Sequence, residues 1–125
     1  MTQRVQIPEI DPDSLRRKHT AKEFSVVVDG EHLELLVWPN EEGGFFVSER
    51  YCPHNQKVRL VKGQTPKRRD SDECNLVECA VHKWQWREDN GVAVYWGDED
   101  EQQPRALKVW RVVEVNKVLY LVIEP

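Results

Sequence analysis

Tyr51-Cys52-Pro53-His54 and Cys79-Ala80-Val81-His82-Lys83-Trp84 are the two stretches whose reading decides the fold. Each offers one thiolate and one imidazole, the first as C-x-H and the second as C-x-x-H. Two Cys and two His suit a tetrahedral zinc ion. They equally suit a two-iron cluster with both thiolates on one iron and both imidazoles on the other. The donors alone leave both open, and the surrounding pattern has to separate them.

Working outward, strand-like runs flank both loops. Phe45–Ser48 leads into the first and Val58–Val61 follows it; Asn75–Glu78 leads into the second and Trp84–Arg87 leaves it. Asp89-Asn90-Gly91 then turns the chain into Val92–Tyr95, and Asn116-Lys117 joins Val109–Val115 to Val118–Ile123 as a hairpin. Nearer the start, Asp29-Gly30 is a strong two-residue hairpin signal between Phe24–Val28 and His32–Trp38. Leu33, Leu35 and Val37 alternate there with His32, Glu34 and Leu36, which predicts a half-buried strand. A short helix is expected from Asp11 as N-cap with Pro12 at its first position. The remainder of residues 1–22 carries no clear period.

Composition agrees with a strand-rich chain. The 125 residues contain 18 valines against four alanines, and β-branched side chains suit a pleated surface. Turns at this spacing predict an antiparallel sandwich or small barrel, with residues 1–125 as one domain. The net charge of −4 gives no reason to expect nucleic-acid binding. The longest apolar runs, such as Leu119–Ile123, fall far short of the ~20 residues a spanning helix needs. Three cysteines (Cys52, Cys74 and Cys79) and a start without an apolar leader predict a reducing, cytoplasmic setting rather than a disulfide scaffold.

The second loop extends to C-x-x-H-x-W-x-W-x-x-x-x-G, from Cys79 through Trp84 and Trp86 to Gly91. Downstream comes P-x-x-L-x-x-W-x-V at Pro104, Leu107, Trp110 and Val112. With Cys52-Pro53-His54 ahead of them, these motifs make the chain resemble the Rieske [2Fe-2S] proteins, particularly their small soluble ferredoxins. The likeness runs from about Phe24 to Ile123. It implies an all-β fold in which a small cluster-binding subdomain, about residues 49–86, is inserted in a larger β-sandwich base. It also implies one cluster per chain, with Cys52 and Cys79 on the buried iron and His54 and His82 on the outer one. The segment up to Pro104 looks like the proline loop that covers the cluster in this family.

Several positions depart from the family pattern. Gln56 and Lys83 stand where glycines usually follow the two histidines, and Leu60 and Gly63 fall one residue late. The motifs are 24 residues apart, Asn55 to Glu78, with Lys62–Glu73 as the apparent insertion; closure entropy grows slowly enough with loop length to accommodate it. The extra disulfide of membrane-bound respiratory members has no counterpart, because Lys57 and Val81 stand nearest its positions. The resemblance therefore points to the low-potential soluble branch.

The chemistry expected is one-electron transfer. Exchanging two thiolates for neutral imidazoles removes negative charge and eases reduction, with family potentials starting at roughly −150 mV against about −400 mV for plant-type clusters. Lys83 near the cluster would favour the reduced state further. The expected partners are an electron-donating reductase and an electron-accepting oxygenase or other oxidoreductase, with neither nucleic acid nor membrane involved. An oxygenase's own mononuclear iron domain does not fit in the remaining residues, so the chain is expected to be a carrier and not itself an enzyme. Two other readings remain: a Rieske-like small subunit of an oxidoreductase such as a nitrite reductase, and a zinc-stabilised interaction module. Cys74 is expected to be an ordinary thiol, His19 and His32 surface residues, and the five tryptophans core or shielding residues. The acidic run Asp98–Glu101 and the basic run Lys67–Arg69 are expected to be solvated tips.

Overall fold

Strand alternation sends successive side chains to opposite faces of a sheet, and in this chain both faces are covered over Leu35–Pro39 and Phe45–Ser48. The structure, a computed structural model, describes residues 2–8, 10–18, 20–40, 43–53, 60, 76–79, 84–87, 90–95 and 105–124. The elements are β1 (Gln3–Gln6), α1 (Pro12–Lys18), β2 (Lys22–Val28), β3 (Glu31–Pro39), β4 (Phe45–Glu49), β5 (Leu76–Glu78), β6 (Gln85–Arg87), β7 (Ala93–Tyr95), β8 (Val109–Val115) and β9 (Val118–Ile123). Two antiparallel sheets result: a six-stranded one in the order β1-β9-β8-β4-β3-β2, and a three-stranded one in the order β5-β6-β7. The all-β antiparallel architecture predicted from the valine-rich runs and turn spacing is the one observed.

Two hairpins fix the register of the large sheet. Asp29 and Gly30 (φ 51° and 79°) and Asn116 and Lys117 (φ 50° and 63°) all occupy the left-handed region. A two-residue turn with both φ values positive matches the twist of the strands it joins. From the first, β2 pairs with β3 from Val28↔Glu31 to Lys22↔Val37; from the second, β8 pairs with β9 from Val115↔Val118 to Arg111↔Val122. Helix α1 begins as expected, with the Asp11 carboxylate accepting the Asp13 N–H at 3.0 Å and Pro12 as its first residue.

The predicted half-buried alternation of β3 holds only in its first half. Glu31, His32 and Glu34 are exposed, but Leu35 through Pro39 are all buried. The reason is a second layer. Leu35 and Val37 face one core with Phe45, Val47, Leu119, Leu121, Ile7 and Leu15. Leu36 and Trp38 face another with Phe46, Val77, Trp86 and Leu107. On this second face Trp38 stands opposite Phe46 in register; the rings stack with centroids 6.0 Å apart, and Trp38 Nε1 donates to Ser48 Oγ at 2.9 Å. The second core is the one that contains Cys52 and Cys79.

β1 has no counterpart among the sequence expectations. Gln3-Arg4-Val5-Gln6 adds to the sheet edge by pairing with β9, from Gln3↔Ile123 to Gln6↔Tyr120, and Ile7 then enters the first core at 2 % exposure. Val58–Val61, expected as a strand, lies outside the described residues apart from Leu60, which is buried.

Because the cores lie on opposite sides of β3 and β4, cavities cut into each should act independently. Leu36→Ala and Leu121→Ala are each expected to lower the unfolding free energy by about 2–5 kcal/mol. The double variant should equal their sum to within about 0.5 kcal/mol, as urea unfolding would measure.

Candidate metal centre

β4 delivers the first ligand segment, and a buried arginine fixes where it departs. Arg50 follows β4 at 8 % exposure; its Nη2 donates to the Phe24 carbonyl at 2.7 Å and to Ser25 Oγ at 3.3 Å. Glu23 and Glu34 flank the guanidinium at 3.5 and 3.6 Å. A buried cation is tolerated only with such partners. The Arg50 backbone then closes a ring: its carbonyl accepts the Leu60 N–H at 2.8 Å. The chain leaves β4 at Arg50, and Cys52 and His54 fall in sequence between Arg50 and Leu60.

The second segment is closed in the same way. β5 ends at Glu78, and the Cys79 N–H donates to the Trp84 carbonyl at 2.9 Å just before β6. Glu78 and Gln85 face each other across β5 and β6; Gln85 Nε2 donates to Glu78 Oε2 at 2.7 Å. His82 belongs to this four-residue interval.

Cys52 and Cys79 are buried in one apolar core. Cys52 and Cys79 are each 0 % exposed and belong to a single core cluster with Trp84, Trp86, Leu60 and Leu107. Thiolates are soft donors, and a pair of them in a water-poor shell suits zinc or an iron–sulfur cluster rather than a hard oxygen-seeking cation. His54 and His82 lie outside the described residues, as do Gln56, Lys57, Cys74, Val81, Lys83, Trp96, Pro104, residues 62–73 and 98–101. Of the other expectations, His32 is exposed, Trp38, Trp84 and Trp86 are buried, and Trp110 packs half-buried against the first core.

A third segment seals the shell. Arg87 and Gly91 close a turn after β6, with the Gly91 N–H donating to the Arg87 carbonyl at 2.8 Å, and the Gly91 carbonyl accepts the Leu107 N–H at 2.8 Å. Gly91 has φ +75°, and a Cβ there would lie 1.7 Å from the Leu107 carbonyl oxygen. Only glycine permits both the conformation and the approach. Just upstream of Leu107, the Arg105 carbonyl accepts the Trp86 indole N–H at 3.3 Å. The Arg105 guanidinium grips Glu49 with both Nη atoms, at 2.6 and 3.1 Å. Glu49, and in lesser part Cys52, hold that guanidinium protonated even more firmly than an ordinary arginine. Sequence reading missed Glu49, Arg50 and Arg105, because no local pattern links residues 56 positions apart.

The family model for the Rieske [2Fe-2S] domain matches residues 9–114. The chain belongs to the Rieske [2Fe-2S] domain family. Its fold is similar to a protein assigned as the NADH-dependent nitrite reductase small subunit of Mycobacterium tuberculosis, with TM-score 0.69, 12 % identity and 100 % of this chain covered against 98 % of that one. It is also similar to the ferredoxin of carbazole 1,9a-dioxygenase from Nocardioides aromaticivorans, with TM-score 0.62, 15 % identity and 95 % and 96 % coverage. A Sphingomonas yanoikuyae ferredoxin gives TM-score 0.59 at 19 % identity, covering 98 % of this chain and 100 % of that one. Among curated proteins no sequence relative matches. No helix among the described residues is long and apolar enough to cross a membrane.

Gly91→Ala should force the segment around Leu107 away from the shell. The expected result is a loss of more than about 2 kcal/mol in unfolding free energy, from a side chain in the left-handed region and an overpacked contact. Loss of metal from the purified variant should accompany it, measured as metal content per chain beside wild type.

Proposed function

We propose that this chain is a Rieske-type ferredoxin, passing single electrons from a reductase to an oxygenase or other terminal oxidoreductase in the cytoplasm. The observation that carries the reading is the burial of Cys52 and Cys79 together in one tryptophan-walled shell, each in a loop closed at its base. His54 and His82 complete the donor set from the same two loops. In this reading residues 1–125 are one unit, with about 49–86 holding the cluster and 62–73 inserted within it.

When bound, a [2Fe-2S] cluster supplies one-electron redox chemistry at a potential raised by its two neutral imidazole ligands. The chain's own residues do the rest. Cys52 and Cys79 supply the thiolates from the dry side, where Trp84, Trp86 and Leu107 exclude water. His54 and His82 supply the imidazoles toward the partner. The buried Arg50 keeps the first loop anchored to β2 and β3 when a partner presses on it.

A second reading has its own support. The similarity to a nitrite reductase small subunit spans this entire chain, so permanent assembly with a larger oxidoreductase is the rival to free diffusion. The native protein should elute at the size of the isolated chain if it is a carrier, and in a larger complex if it is a subunit.

Anaerobically purified protein is expected to be red-brown, with about two irons and two acid-labile sulfides per chain. Cys52→Ser and Cys79→Ser should each lose that visible absorbance, and His82→Ala should lose or shift it. A colourless protein with one zinc per chain would overturn the electron-carrier reading in favour of a zinc-stabilised module.

A further inference from the structure

Three segments that are distant in sequence come together at Arg105. Glu49 stands three residues ahead of Cys52. Trp86 stands on β6, two residues past Trp84, whose carbonyl holds the Cys79 N–H. Arg105 joins the two: its side chain takes both oxygens of Glu49 and its carbonyl takes the Trp86 indole. Glu49 is engaged further, since Oε1 also accepts the Lys108 N–H at 3.0 Å and its own N–H donates to the Lys108 carbonyl at 3.1 Å. Lys108 and Leu107 each hold one of the two arms to the segment after Pro104; Arg105 alone contacts both, Glu49 through its side chain and Trp86 through its carbonyl.

Magnitude decides what this tie is for. The Arg105 side chain is 46 % exposed, and exposed ion pairs add little to stability. A bidentate guanidinium–carboxylate fork nevertheless fixes direction, which a single ammonium contact does not. Here the fork is anchored on Glu49, three residues ahead of Cys52 on the same segment. A permanent positive charge there favours whichever redox state is more negative.

We propose that Arg105 is a positioning residue of the electron-transfer centre, bracing both ligand arms and holding a fixed positive charge beside the Cys52 side. The inference rests on the ferredoxin reading. Its partner Glu49 acts in the opposite electrical sense while serving the same brace.

Arg105→Gln and Glu49→Gln separate charge from scaffolding. Both break the fork, so both should lower the midpoint of thermal unfolding slightly. Their reduction potentials should diverge. Removing the cation should lower the equilibrium constant for one-electron reduction by about three- to tenfold, and removing the carboxylate should raise it by a similar factor, tenfold being about 59 mV. Arg105→Lys keeps the charge without the fork and should hold the wild-type potential to within about twofold. The measurements are spectroelectrochemical titration and thermal unfolding of the loaded proteins. Wild type that loads and reduces normally, with the two Gln variants shifting the same way or not at all, overturns the role given to Arg105 and leaves the ferredoxin reading standing. Wild type without iron and sulfide overturns that reading, and the charge role of Arg105 falls with it.

Discussion

The second half of β3, Leu35–Pro39, and β4 are buried on both faces, and the rest of the molecule depends on that constraint. In register, Leu35↔Glu49 and Val37↔Val47 alternate with Leu36↔Ser48 and Trp38↔Phe46. A slip of one residue would exchange the two sets of side chains between two differently shaped cores. The strands therefore hold a unique register, and β4 ends each time with Glu49 and Arg50 in the same place. Everything at the candidate metal centre begins from there: the fork to Arg105, the hydrogen bond from Leu60, and the approach to Cys52.

Main-chain contacts join the described residues around the candidate centre. Two loops are pinned by single hydrogen bonds at their feet, and the third segment is held by the approach of Gly91 to Leu107. Such contacts have no slack, since the groups involved are backbone atoms that cannot change rotamer. The charged residues near the shell then act in a setting whose geometry is already fixed.

Much of this was legible in the sequence where the signal is local. The Asp29-Gly30 and Asn116-Lys117 turns declare themselves through residues suited to positive φ or through their place between alternating runs, and Asp11-Pro12 marks its helix start. The two Cys–His motifs and the Trp84, Trp86, Gly91 and Leu107 pattern mark the shell, and Cys52 and Cys79 do share one core. Features that depend on a partner far along the chain were not legible. β1 is polar on nearly every residue and becomes a strand only because β9 offers an edge. The double burial of β3 needs the small sheet above it. Arg50 reads as a surface arginine until Phe24, Ser25 and two carboxylates gather around it.

The position of β1 bears on how the fold is made. It is hydrogen-bonded to β9, which itself lies between β1 and β8. During synthesis β1 is made before β9 and has to wait for this partner until the strands between them have been made. Its polar composition makes that wait harmless, because an unpaired segment with so little apolar surface has little tendency to seek the wrong neighbour. Completion of the large sheet thus depends on a long-range pairing, Gln3↔Ile123 to Gln6↔Tyr120, the kind of contact that topology makes slow to form.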